Sequence, residues 1–173
     1  VVSGTLRWVD NDTAIKRFTV PIIDNKNVDP DKNVNLTLSN PSIPNALGFQ
    51  ATATLRIIND DAYGGLAFSQ EDYYVDENGG FATISVIRQG GIAGSVSVNY
   101  VATNLTALAG TDFVAASGIL NFAPGETSKS FIVPIINDSI VEGDKIISLT
   151  LSNAVLGTLS TPSASRLTII DDE

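Results

Sequence analysis

From Leu66 onward, apolar and polar residues alternate along most of the chain. Phe131, Val133 and Ile135 fall on one side of a two-residue period, with Ile132, Pro134 and Ile136 on the other. Ile147, Leu149 and Leu151 keep the same rhythm, as do Val96, Val98 and Tyr100, and Leu167 with Ile169. Successive side chains of an extended chain point to opposite faces, so this period marks half-buried strands. Thr, Val, Ile and Ser fill the runs, and Gly, Asn, Asp and Pro separate them, as antiparallel strands and their turns require. No window carries a convincing helical period. Seven strands are predicted, over Leu66–Val75, Ala82–Arg88, Val96–Thr103, Gly118–Phe122, Ser130–Ile136, Lys145–Ser152 and Ser165–Ile170. Seven short strands within about 110 residues predict an all-β fold, an immunoglobulin-like antiparallel β-sandwich with Greek-key connections. Proline cannot donate to a ladder, so Pro134 places its strand at a sheet edge or at a bulge.

The pattern is written twice. FIVPIINDSIVEGDKIISLTLSN (Phe131–Asn153) repeats FTVPIIDNKNVDPDKNVNLTLSN (Phe18–Asn40), with 13 of 23 positions identical. Upstream, VSGTLRW (Val2–Trp8) parallels ASGILNF (Ala116–Phe122); downstream, LRIINDD (Leu55–Asp61) parallels LTIIDDE (Leu167–Glu173). A period near 113 residues is too long for a solenoid unit and suits a whole domain. The first copy begins at its own midpoint. Residues 1–61 therefore read as the C-terminal half of one sandwich and residues 62–173 as a complete one, joined by a linker of little more than Tyr63–Gly64–Gly65. Trp8 aligns with Phe122 and is expected in the core. The first copy supplies only counterparts of the last four strands, expected as two-stranded pieces of two sheets. If this half is ordered, its missing front sheet is expected to be replaced by strands from another chain or a cleaved upstream segment, because open edges invite pairing. The chain has no Met, and no signal-peptide pattern at Val1, so it is expected to be a piece of something longer.

Charge narrows the function. Ten Lys and Arg against 19 Asp and Glu give a formal net charge of -9, which argues against nucleic acid and is compatible with cations. No apolar run approaches the roughly 18 residues of a membrane helix, so no direct membrane insertion is expected. The chain has no Cys and no His, which removes thiolate chemistry, the commonest general base and the commonest zinc ligand.

The acids are not evenly placed. In a sandwich of alternating strands, the loops after the first, third and fifth strands share one end with the tail after the seventh. Asp76 and Glu77, then Asp112, then Asp138, Glu142 and Asp144, then Asp171, Asp172 and Glu173 all fall there; the opposite end has Glu126 alone. Two like charges 4 Å apart repel by about 4 kcal/mol at an effective dielectric near 20, so such a gathering calls for a counter-ion. Calcium takes six to eight oxygens in irregular geometry and suits the set better than magnesium. In the first copy Asp24, Asp29, Asp31, Asp60 and Asp61 repeat part of it, as an incomplete cage. Paired carboxylates also occur in glycosidases, but aromatic sugar platforms are lacking here and no enzyme is expected.

Taken together, VDENGG (Val75–Gly80), SVIRQGG (Ser85–Gly91), VSVNYVATN (Val96–Asn104), AGTDF (Ala109–Phe113), GILNFAPGETSKSFIVPIINDSIVEGDK (Gly118–Lys145) and the TIIDDE tail resemble the Calx-beta family. That module occurs in sodium–calcium exchangers, an integrin subunit and large bacterial surface proteins. The resemblance covers residues 62–173 whole and residues 1–61 as a back half. It implies Ca2+ held by Glu77, Asp112, Asp138, Glu142, Asp171, Asp172 and Glu173. Asn137 and Lys145 stand where calcium-binding members can carry acids, which implies fewer or weaker ions. The implied role is a calcium-stiffened spacer or adhesion scaffold of a secreted or cell-surface protein, with neighbouring tandem modules as partners. Alternatives are a regulatory calcium sensor like the exchanger modules and a metal-free structural module.

Overall fold

A computed structural model describes residues 1–173. Its strands are β1 (Lys32–Thr37), β2 (Thr52–Ile57), β3 (Gly65–Phe68), β4 (Asp72–Asp76), β5 (Phe81–Gln89), β6 (Val96–Asn104), β7 (Ser117–Phe122), β8 (Ser128–Pro134), β9 (Lys145–Val155), β10 (Thr158–Leu159) and β11 (Ala164–Ile170). The one helical element is a 3₁₀ turn over Glu77–Gly79. No helix is long and apolar enough to cross a membrane.

From β3 onward the chain builds two facing sheets, ordered β10-β3-β5-β8 and β4-β11-β9-β6-β7. Each inward parity delivers its apolar residues to one core. Leu66, Phe68, Ile84, Val86, Phe131 and Val133 come from the first sheet, and Val98, Phe122, Ile147, Leu149, Leu151, Leu167 and Ile169 from the second. Tyr100 and Phe131 stack across the layers with ring centroids 3.9 Å apart. Pro134 ends β8, whose single strand partner is β5, so the proline lies on an edge as its missing N–H demands.

The structure departs from the seven-strand expectation in its first element. Leu66–Val75 is not one strand but two. β3 pairs antiparallel with β5, and β4 then crosses to the other sheet and runs parallel to β11. The break falls at Ser69, Gln70 and Glu71. Arg166 N–H donates to Glu71 O at 3.0 Å and Ser165 Oγ donates to the same carbonyl at 2.9 Å, fixing the crossover. Alternation alone cannot reveal such a switch, because both halves keep the same two-residue period.

In residues 1–61 only β1 and β2 form, as an antiparallel pair. The counterparts of β7 and β8 (around Val2–Trp8 and Phe18–Ile23) are not strands. The expected pair of two-stranded pieces is thus corrected to one piece. The topology explains it: β9 and β11 are neighbours, whereas β7 depends on β6 and β8 on β5, and the first copy has no counterparts of β5 or β6. Trp8 is also corrected, from core to surface. It is 51% exposed where Phe122 is 1% exposed, because the facing sheet is missing.

Candidate metal centre

Strand direction gathers the acids. β4 and β11 are parallel, with Asp76 opposite Ile170, so the 3₁₀ turn leaves its sheet beside the tail after β11. Lys145 opens β9 opposite Ile169, which brings Asp144 beside Asp171. Asp112 is placed by its neighbour. Phe113 is fully buried and bridges Ile135, while Ile136 N–H donates to Asp112 O at 3.0 Å, tying this loop to the segment after β8.

Hydrogen bonds join the segments. Asp138 N–H donates to Glu77 Oε1 at 3.3 Å, and Gly143 N–H to Asp171 Oδ2 at 3.3 Å. Asp171 N–H donates to Asp144 Oδ1 at 3.4 Å, and Asn78 Nδ2 donates to Asp172. Lys145 Nζ donates to Glu142 Oε2 at 2.8 Å. Glu77, Asp112, Asp138, Glu142, Asp171 and Asp172 thus lie at one end of the sandwich, and exposed Glu173 follows them.

The electrostatics show crowding. Glu77 is buried, and burial is the largest influence pushing its carboxyl above the ordinary range; the fields of Asp138, Asp171 and Asp172 push the same way. Lys145 is pushed up, first by its bond to Glu142 and then by the fields of Asp112 and Asp138. One lysine does not offset six neighbouring carboxylates.

The first copy repeats the back half of this arrangement. Lys32 Nζ donates to Asp29 Oδ2 at 2.6 Å, as Lys145 does to Glu142. Asn59 N–H donates to Asp31 Oδ1 at 2.9 Å, as Asp171 N–H does to Asp144. Asp24, Asp29, Asp60 and Asp61 line one cleft of about 420 Å³. Counterparts of Glu77 and Asp112 are missing from it.

No three carboxylates close on a common point in this structure. The donor chemistry nonetheless fits a hard divalent cation: every candidate ligand is an oxygen, and the chain has no His or Cys. One residue at this end, and one away from it, were not singled out by sequence reasoning. Asn78 sits in VDENGG with nothing to mark its reach to Asp172. Arg88 was detectable, as a charged residue on the inward parity of β5, after Ala82, Ile84 and Val86.

The Calx-beta domain model matches residues 2–61 and again residues 59–173. The chain belongs to the Calx-beta family. Among curated relatives, it is 36% identical over 107 residues to the sodium/calcium exchanger Calx of Drosophila melanogaster, covering 61% of this chain and 11% of the exchanger. Extracellular matrix protein 3 of Lytechinus variegatus is 33% identical over 158 residues, covering 87% of this chain and 5% of that protein. The chain therefore spans a small fraction of these relatives. The crystal structure of the calcium binding domain CBD12 of CALX1.1 superposes with a TM-score of 0.59 at 35% identity, covering 62% of this chain and 45% of that one. The all-β sandwich is the Calx-beta fold.

Proposed function

We propose that this Calx-beta chain is a calcium-binding repeat of a large secreted or cell-surface protein, acting as a spacer or adhesion scaffold stiffened by Ca2+ at its module ends. In this reading residues 62–173 are a complete module and residues 1–61 the C-terminal half of another. The observation that carries it is the placing of six carboxylates from four separated segments at one end of the sandwich, with Glu77 buried there. Calcium would be held by Glu77, Asp112, Asp138, Glu142, Asp171 and Asp172, with Glu173 within the same tail. It would neutralise a self-repelling end and tie the four segments together. The similarity to an extracellular matrix protein supports the scaffold role and an extracellular location. No catalytic role is assigned.

The similarity to an exchanger favours one second reading, a regulatory calcium sensor. Affinity separates the two, since extracellular modules bind at about 10⁻⁴–10⁻³ M and sensors at about 10⁻⁷–10⁻⁵ M. Calorimetric titration of calcium into chelator-stripped protein tests both. A flat isotherm leaves a metal-free structural module.

A further inference from the structure

The peptide leading into β3 is bound along its length. Ala93 N–H donates to Ala62 O at 3.0 Å, Arg88 Nε to Tyr63 O at 2.8 Å, and Thr158 N–H to Gly64 O at 3.1 Å. Arg88 is 3% exposed and has no carboxylate partner among the ion pairs of the chain. Its remaining donors go to carbonyls: Nη2 to Ala93 O at 2.6 Å and Gly94 O at 3.0 Å, and Nη1 to Ala123 O at 3.2 Å. A buried charge is tolerated only when its hydrogen-bonding capacity is met. Here it is met by fastening the linker to the β5–β6 and β7–β8 loops.

The β5–β6 loop is cut back to admit that linker. A Cβ at Gly91 would lie 2.3 Å from Ala62 O, and one at Gly94 would lie 2.7 Å from the Tyr63 ring. Gly94 also has a φ of +60°, which glycine adopts without strain.

The first copy holds the chain from the other side. Asn59 N–H is bonded to Asp31 Oδ1, and Arg56 donates to Asp31 Oδ2 from Nε at 2.9 Å and Nη2 at 2.5 Å. Asn59 Nδ2 reaches on to Asp61 O at 2.9 Å. That bond is internal to the connecting peptide; no other hydrogen bond holds Asp60 or Asp61 to a strand of either copy.

We infer that the two copies are joined by a two-residue hinge, Asp60–Asp61, set between a linker seat built on Arg88, Gly91 and Gly94 and an anchor built on Asp31. Two residues of extended chain reach about 7 Å, so the swing between copies is short. The restraint consists of hydrogen bonds and close packing, needs no metal ion, and does not rest on the calcium reading. It fixes the direction in which the linker enters the complete module.

The test is backbone ¹⁵N relaxation on the full chain in chelator. Order parameters of Ala62, Tyr63 and Gly64 are expected to match those of β5 and β8, near 0.85 for rigid backbone, with the dip confined to Asp60 and Asp61. Values below about 0.6 at Ala62–Gly64 overturn the inference. Arg88→Gln and, separately, Gly94→Ala are expected to loosen Ala62–Gly64 while the β5–β8 amides keep their protection. Unchanged linker order in the folded variants would also overturn it. If Arg88→Gln does not fold, the wild-type measurement and Gly94→Ala decide.

Discussion

Asp31 Oδ1 accepts the Asn59 amide at 2.9 Å, and the counterpart of Asp31, Asp144, accepts the Asp171 amide at 3.4 Å. In both copies the carboxylate just before one strand of the closing pair secures the exit of the other. Asp144→Ala is expected to speed amide exchange at Asp171 several-fold and to cost no more than about 1 kcal/mol, as for one exposed hydrogen bond. Unchanged exchange at Asp171 would show that this bond does not order the tail.

Calcium at millimolar concentration is expected to raise the thermal midpoint measured in chelator, and magnesium to raise it less. An ion that binds only the native state stabilises it by mass action, by about 0.4–1.4 kcal/mol at one to ten times Kd. Asp138→Ala should weaken the calcium response and slightly raise the chelator midpoint, since it removes one of several crowded like charges. Asp72→Ala, on β4 away from this end, is the control. Differential scanning calorimetry with calcium, magnesium and chelator reads all three.

The repeat offers a matched pair of core truncations. Leu149 is fully buried, whereas its counterpart Leu36 is half-exposed on a pair with no facing sheet. Leu149→Ala is expected to cost about 2–5 kcal/mol, and Leu36→Ala about 1 kcal/mol or less. Urea unfolding of the full-length variants measures both; equal costs would mean that the β1–β2 face is covered in solution.

Amide exchange on the full chain should be fast over Val2–Trp8 and Phe18–Ile23, with protection in the first copy confined to β1 and β2. Two-stranded pieces are marginal in water, and the sheets that would take the other two segments are missing from that copy. Slow exchange there, accompanied by a dimer in sedimentation, would mean that a second chain completes the fold.

Glu126 should make the end opposite the acid cluster acid-sensitive. Its Oε2 accepts Ala123 N–H at 2.7 Å, and that bond first, then Lys129, holds its carboxyl below the ordinary value of 4.5. A folded-state value below the unfolded one gives stability that is present above pH 4.5 and lost as pH falls through the folded value. Glu126→Gln should therefore lower the midpoint at pH 7 and converge with wild type at strongly acid pH. Thermal melts across pH in chelator would reveal parallel curves if Glu126 carries no such linkage.

The two-residue period was enough to mark Phe131–Ile135 and Ile147–Leu151 as core strands, because side-chain direction in an extended chain depends only on parity. Pro134 announced an edge because a missing N–H is a local fact. The placing of acids at one end followed from loop order alone. None of these needed to know which strands are neighbours. The crossing of β4 to the second sheet, the burial of Glu77, its bond from the Asp138 amide, and the failure of Trp8 to reach a core were decided by tertiary structure. Each depends on which segments pack together, and residues far apart in the chain meet only when the sheets close. Arg88 shows the boundary between the two. Its inward parity is written in the chain, but the Tyr63, Ala93, Gly94 and Ala123 carbonyls that make a buried guanidinium tolerable exist as a set only once three separate segments have converged.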